Sequence, residues 1–374
     1  MNPSVPAPSP LSRIRPDVRA MHAYHVAPSD GLLKLDAMEN PFSLPPALQR
    51  ALGERLGALQ LNRYPGGARQ EALKAALAAH AGAPEGSALM LGNGSDELIS
   101  LLALACAQPA ADRRRAVVLA PVPGFVMYAM SAQLQGLDFV GVPLTPDFEL
   151  DERAMLAAIA AHHPAITYLA YPNNPTATLW DEGAMQRIVD AVAAQGGIVA
   201  IDEAYQPFAS RSWIERMRAE PARNAHVLLM RTLSKFGLAG VRLGYLIGPA
   251  ALVGEIDKVR PPYNISVLNC EAALFALEHA DVFADQAAEL RGERELLIAR
   301  LRAMPGVQRV WDSQANMVLV RVPDAARTFQ GMKDRGVLVK NVSTMHALLA
   351  QCLRLTVGSA QDNAQMLAAL EASL

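Results

Sequence analysis

From about residue 86 the chain alternates short, almost continuous apolar runs with stretches of helical period. The runs ALML (88–91), AVVLA (116–120), DFVGVPL (138–144), ITYLAY (166–171), GIVAID (197–202), HVLLM (226–230) and RLGYLIG (242–248) read as strands. Runs with so few polar positions predict a sheet covered on both faces. Between two of them lies DEGAMQRIVDAVAAQGG, where Met185, Ile188, Val189 and Val192 fall at i, i+3, i+4 and i+7. Asp181 can cap the start of that helix, and Gly196–Gly197 ends it. Strand, helix, strand in this order predicts right-handed crossovers and a mainly parallel sheet of seven strands.

After PPYNIS (261–266) the pattern changes. A helical stretch over roughly 267–303 precedes NMVLVRV (316–322), a helix near 324–335, VLVKNV (337–342), CLRLTV (352–357) and a closing helix. These predict a smaller α+β domain. The expected division is an N-terminal arm over 1–45, a large α/β domain over 46–263 and a small domain over 264–374.

Composition narrows the function classes. The chain has 374 residues, 51% hydrophobic and 19% charged, with a formal net charge of −2. Near-neutral charge without a basic block gives no footprint for nucleic acid. Cys106, Cys270 and Cys352 lie far apart in apolar surroundings, so they read as inert buried thiols in a reducing compartment. The start, MNPSVPAPSP, lacks the apolar core of a signal peptide, and its prolines predict a disordered or extended lead of about ten residues. No apolar run is long enough for a bilayer, so a cytoplasmic location without membrane contact is expected.

Several segments carry candidate chemistry. The acid-free run from Pro221 through Gly254 contains RTLSKFGLAGVRLGY, with Arg231, Lys235 and Arg242. Lys235 sits among apolar and small residues, where burial and neighbouring cations both favour a neutral, nucleophilic amine. A surface lysine in a glycine-rich loop is the alternative. LGNGSDE (91–97) joins a strand to a helix and can hold a phosphate on its amides or act as a plain capped turn. Glu97 replaces the third glycine of a dinucleotide fingerprint. IVAIDE (198–203) resembles a Walker B strand, but no GxxxxGK[ST] segment accompanies it. Asp202 therefore stands as a carboxylate at a strand's C-terminal end, a ligand group or a helix cap. YPNNPTA (171–177) brings Asn173 and Asn174 to the same edge. Arg354, within LRLTVG, is suited to a carboxylate ligand or to a structural ion pair. His162 and His163 read as surface residues.

One ligand would use these groups together: an aromatic aldehyde bearing a phosphate and a ring nitrogen. Its phosphate would meet the amides of 94–96, Ser234 and Arg242, its ring nitrogen Asp202, and its aldehyde Lys235. With LDAMENP (35–41), NRYPGG (62–67), GNGSDE (92–97), YPNNPTA (171–177), IDEAY (201–205), TLSK (232–235) and GVRLGY (240–245) in this order, the chain resembles the fold-type I pyridoxal-phosphate-dependent aminotransferases over nearly its whole length.

The resemblance implies pyridoxal 5'-phosphate as cofactor. It implies Lys235 as Schiff-base lysine and proton shuttle, Asp202 as partner of the ring nitrogen, and Asn174 and Tyr205 as partners of the ring oxygen. Phe125, in PGFVMY, falls where the family usually has a stacking tyrosine. Ser95, Asp96, Thr232, Ser234 and Arg242 fall on the phosphate cup. Tyr64 would reach the phosphate of a neighbouring subunit, which implies a homodimer with sites at the interface. Arg354 falls on the substrate-carboxylate arginine; Lys340 is offered to a substrate phosphate, with Tyr24, Asn40 and Asn341 assisting. Met38 stands where the family commonly has asparagine. The step from lysine to phosphate arginine, 242 − 235, is seven residues where many relatives have eight. Within the family the chain is most similar to the branch that exchanges an amino group between L-histidinol phosphate and 2-oxoglutarate in histidine biosynthesis. An aromatic amino-acid aminotransferase and a threonine-phosphate decarboxylase are the rivals on the same fold.

Overall fold

The computed structural model describes residues 10–21 and 28–374. Nearly all of the proline-rich lead, and Tyr24, lie outside the described residues. In chain order the strands are β1 (Leu33–Lys34), β2 (Ser87–Gly92), β3 (Val117–Val122), β4 (Asp138–Pro143), β5 (Ile166–Ala170), β6 (Ile198–Asp202), β7 (Val227–Thr232), β8 (Gly244–Pro249), β9 (Arg309–Val310), β10 (Met317–Arg321), β11 (Val337–Leu338), β12 (Lys340–Asn341) and β13 (Cys352–Thr356).

Among the described residues, a seven-stranded sheet has the order β2-β8-β7-β6-β5-β3-β4. All seven expected strands are in it, and only β8 runs against its neighbours. Its direction has a local cause. No crossover helix of useful length separates β7 from β8, so the chain must return beside β7 antiparallel. The helix Glu182–Ala194 begins at Asp181, whose carboxylate accepts from the Ala184 amide, and the chain after Gln195 passes through Gly196 at φ 72°.

Both faces of the sheet are buried, for the reason its runs are apolar throughout. Leu119, Leu169, Ile201 and Leu229 pack on one face, and the alternating Val118, Tyr168, Ala200 and Leu228 pack on the other. The C-terminal ends of β2, β5, β6 and β7 and the start of antiparallel β8 share one edge, where Gly92 pairs with Gly244 and Ala170 with Asp202.

The helical stretch after residue 266 is two helices, Val267–Glu278 and Ala280–Ala303. They part at His279, which leaves helical geometry at φ −118°, ψ 36°. VLVKNV is not one strand. Val337–Leu338 pairs in parallel with β1, whereas Lys340–Asn341 joins the four-stranded antiparallel sheet β12-β13-β10-β9. Val318, Val320, Leu353 and Leu355 form the core beneath that sheet with helices Ala280–Ala303 and Ala360–Glu371.

The segment after β1 is tied to this smaller unit. The Thr356 amide donates to Leu35 O at 3.3 Å, and Asn316 Nδ2 donates to Met38 O at 3.0 Å. This carries residues 36–39 across the open edge of the large sheet.

Candidate active site

Where that segment crosses the edge it covers a cavity of about 400 Å³. Ser95, Asp96, Phe125, Asn174, Asp202, Tyr205, Thr232, Ser234, Lys235 and Arg242 line it, with Ala37, Met38 and Glu39 from the covering segment. Residues spread over 150 positions of sequence meet because each follows a strand that ends at this edge.

One end of the cavity is built for an anion. Gly94, at φ 79°, caps the helix Ser95–Ala105, whose first amides have no intrahelical acceptor. Glycine is required twice here. A Cβ on Gly94 would lie 2.8 Å from Arg242 Nη2, and one on Gly244 would lie 2.8 Å from the Gly94 carbonyl carbon. Arg242, in the left-handed region at φ 56°, points Nη1 toward Ser234 Oγ at 3.4 Å and Nη2 toward Asp96 Oδ2 at 3.5 Å. Thr232 Oγ1 accepts from the Ser234 amide at 3.1 Å, which fixes the serine. Glu97 turns back to accept from the Asn93 amide at 2.6 Å and from Asn264 at 2.8 Å, closing the loop from below.

At the other end, Asp202 is buried. Its Oδ1 accepts from the Ala204 amide at 3.0 Å, and its Oδ2 accepts from the Tyr128 hydroxyl at 2.6 Å. Burial pushes its carboxyl up to about 6 against the pull of these donors, with Asp96 and Glu203 adding to the rise. Lys235 lies in the irregular turn Ser234–Leu238 and donates from Nζ to Ala37 O at 2.7 Å. Its Nζ stands 5.9 Å from the centre of the Tyr205 ring. Burial lowers the ammonium to about 8, and the charge of Arg354 lowers it further than Glu39 restores. An amine of lowered basicity and a buried carboxylate thus share one chamber, an arrangement suited to covalent capture of a carbonyl and to holding a ring cation.

Arg354, on β13, stands just behind the lining. It donates to Asn174 Oδ1 and to Asp36 O, each at 2.7 Å. Lys340 is its cross-strand neighbour in the register of β12 and β13. The remaining expected residues are not brought into the cavity. Asn40 bonds Gln286 at 2.8 Å, and Asn341 Oδ1 accepts from the Ser343 amide at 2.9 Å. Tyr64 is 77% exposed and stacks on Tyr263 with ring centres 4.5 Å apart. Arg231, the first cation of the acid-free run, faces away, 2.9 Å from the buried Glu203 carboxylate.

Tyr128 and the Ala37 carbonyl are lining groups with hydrogen bonds to site residues that the sequence does not announce. Tyr128 lies three residues after Phe125, in the first turn of the helix Met127–Gln135 that follows PGF, and both residues line the cavity. The Ala37 carbonyl has no sequence signal, since any residue supplies one.

The chain belongs to the class I and II aminotransferases: the model of that family, "Aminotransferase class I and II", matches residues 30–372. It is 79% identical, over 97% of this chain and 98% of the relative, to the histidinol-phosphate aminotransferase of Paracidovorax citrulli (strain AAC00-1). The histidinol-phosphate aminotransferase of Methylibium petroleiphilum is 68% identical, over 98% of this chain and 96% of its own. Among solved structures, the histidinol-phosphate aminotransferase of Sinorhizobium meliloti in complex with pyridoxal-5'-phosphate superimposes with a TM-score of 0.79 at 24% identity, covering 96% of this chain and 97% of that one. That likeness is one of fold, and the fold is fold-type I.

Proposed function

We propose that this aminotransferase exchanges an amino group between L-histidinol phosphate and 2-oxoglutarate, giving imidazole-acetol phosphate and L-glutamate in histidine biosynthesis. The reaction class rests on one juxtaposition, the depressed Lys235 amine and the buried Asp202 carboxylate in a single cavity. The substrate is inferred from the names of relatives that match over nearly their full lengths.

Pyridoxal 5'-phosphate fits the donor set. A chamber of about 400 Å³ offers an anion cradle in which side chains are excluded at Gly94 and Gly244, and a carboxylate held by two donors. When bound, the cofactor supplies an aldehyde for the amino group and a protonated ring that accepts electrons from the substrate carbon.

The chain's own residues do the rest. The amides of 94–96, Ser234 and Arg242 would bind the phosphate, with Ser95, Asp96 and Thr232 shaping the cup. Asp202 would keep a proton on the ring nitrogen, Phe125 would cover a ring face, and Asn174 and Tyr205 would orient the ring oxygen. Lys235 would hold the aldehyde carbon and, once released, carry a proton from the substrate carbon to the cofactor carbon. Arg354 would take the glutamate carboxylate as a planar fork, and Lys340 would add charge for a substrate phosphate. Asn40, Asn341 and Tyr24 are assigned to the substrate end.

We further infer a homodimer with Tyr64 facing the partner's phosphate, a cytoplasmic location, and division into the arm 1–45, the large domain 46–263 and the small domain 264–374. No helix among the described residues is long and apolar enough to cross a membrane.

The test is kcat/KM with 2-oxoglutarate as acceptor. Histidinol phosphate is expected to exceed phenylalanine clearly, and the reverse order would assign an aromatic amino-acid aminotransferase. Release of carbon dioxide without a keto-acid acceptor would assign a lyase.

A further inference from the structure

We propose that Tyr128 is a positioning residue for the transamination, its hydroxyl fixing the orientation and the charge of Asp202. The proposal rests on the reading that Asp202 meets the cofactor's ring nitrogen.

The geometry carries it. Tyr128 is 2% exposed and sits in the first turn of the helix Met127–Gln135, while Asp202 ends β6. The 2.6 Å bond between them spans 74 residues of sequence. With the Ala204 amide on Oδ1 and the Tyr128 hydroxyl on Oδ2, each carboxylate oxygen has one fixed donor, so the group cannot rotate without breaking a buried hydrogen bond.

The tyrosine is itself immobilised. Its ring lies 4.2 Å from that of Tyr168 and parallel to within 5°, and the Phe125 ring stands edge-on at 5.7 Å. A clamp of this kind holds a carboxylate in one pose before any ligand arrives. Phe125, three residues back, has no hydroxyl to compete for Asp202.

The charge argument runs the same way. Burial, Asp96 and Glu203 all push the Asp202 carboxyl upward, and the Tyr128 and Ala204 donors oppose them. The neighbouring hydroxyls of Tyr168 and Tyr205 are neutral, because burial pushes both well above the working range. In the ligand-free cavity the Asp202 carboxyl is pushed up to about 6, and loss of the Tyr128 donor raises it further.

The experiment compares holoenzymes of wild type, Tyr128→Phe, Asp202→Asn and the double variant. Tyr168→Phe serves as control, because it deletes a buried hydroxyl that donates to Ile99 O at 3.5 Å and, among the described residues, has no hydrogen bond to Asp202. For Tyr128→Phe, kcat is expected to fall about tenfold or more, the scale on which acid–base partners act, with the KM of the amino donor little changed. Apoenzyme titrated with pyridoxal phosphate should bind it more weakly, and this deficit should widen as pH falls from about 7 to about 6, where the ligand-free variant's Asp202 carboxyl takes up a proton more readily than the wild type's. In the Asp202→Asn background the same substitution should change kcat by less than about twofold, since the two residues act as one unit.

Equal losses from Tyr128→Phe in both backgrounds, or a cofactor-binding deficit that does not change with pH, would overturn the proposal and leave the tyrosine as packing. If Asp202→Asn alone has no effect, the reading of Asp202 falls first and the proposal with it. Melting temperatures of the apoproteins, with Tyr168→Phe as reference, separate these outcomes from misfolding.

Discussion

The guanidinium of Arg231 lies 2.9 Å from the carboxylate of Glu203, both side chains almost fully buried where β7 runs beside β6. Ser212 Oγ accepts from Arg231 at 2.9 Å and also donates to Glu203, and the Trp213 amide closes the network at 2.6 Å. Strand alternation turns Asp202 toward the cavity and Glu203 away from it, so adjacent acids serve separate ends. Arg231→Met leaves Glu203 buried without its cation, and breaking such a pair costs about 3–5 kcal/mol. Urea unfolding of the variant should register a loss of that size. A change under about 1 kcal/mol, the scale of an exposed pair, would contradict the burial argument.

Lys235→Ala is expected to abolish turnover while the circular dichroism spectrum and the sheet remain intact. The side chain donates its hydrogen bond to a backbone carbonyl, so its removal leaves no buried charge behind. Borohydride reduction of the holoenzyme followed by peptide mapping should place the cofactor on Lys235. Substantial transamination by the alanine variant would refute the assignment.

The same lysine predicts a pH dependence of apoprotein stability. Its folded value, about 8, lies below the ordinary 10.5. Between these values the unfolded chain binds a proton that the folded chain does not, so stability rises with pH across this window. Below about 8 the ammonium is charged in both states and the burial penalty is fully present. Melting temperatures of wild type and Lys235→Ala from pH 7.5 to 10.5 should therefore converge as pH rises. Parallel curves would mean that the amine is not buried.

Asp202→Asn keeps the shape of the carboxylate but not its charge. Removing a preorganised electrostatic partner lowers rates by about 10²–10³-fold, and kcat is expected to fall on that scale. Cofactor occupancy should fall far less, because the anion cradle around Gly94, Ser234 and Arg242 is untouched. An unchanged kcat would exclude Asp202 as the residue that sustains the ring's positive charge.

What could be read from the chain follows from the range of each signal. The seven strands were visible because a sheet buried on both faces needs uninterrupted apolar runs. Lys235, Asp202 and Arg242 were visible because charges among apolar residues demand a partner. Contacts between distant segments were not. The acid-free run hides the acid that Arg231 uses, since Glu203 comes from the adjoining strand. VLVKNV reads as one strand, yet its two halves pair in different sheets, because pairing partners leave no mark on local periodicity. Tyr128, in PGFVMY, carries no mark of its own in the sequence. Its value to the site comes from a bond to a residue 74 positions away.

Tyr64 offers the sharpest test of the dimer. It is 77% exposed and outside the cavity of its own chain, and Leu61 and Tyr263 beside it are also exposed. Exposed apolar groups gathered around a stacked aromatic pair mark a contact surface. If Tyr64 serves the partner's site, Lys235→Ala in one chain and Tyr64→Ser in the other are defects of the same site in a mixed dimer. Both defects then fall in one site, and the other is built from the intact lysine of one chain and the intact tyrosine of its partner. Refolding the two variants together in equal amounts should restore about a quarter of wild-type activity, since half of randomly paired dimers are mixed and each has one working site. Sedimentation should give twice the 40.0 kDa chain mass for each species. If mixing restores nothing although dimers form, Tyr64 acts within its own chain; if Tyr64→Ser alone is fully active, Tyr64 serves neither site.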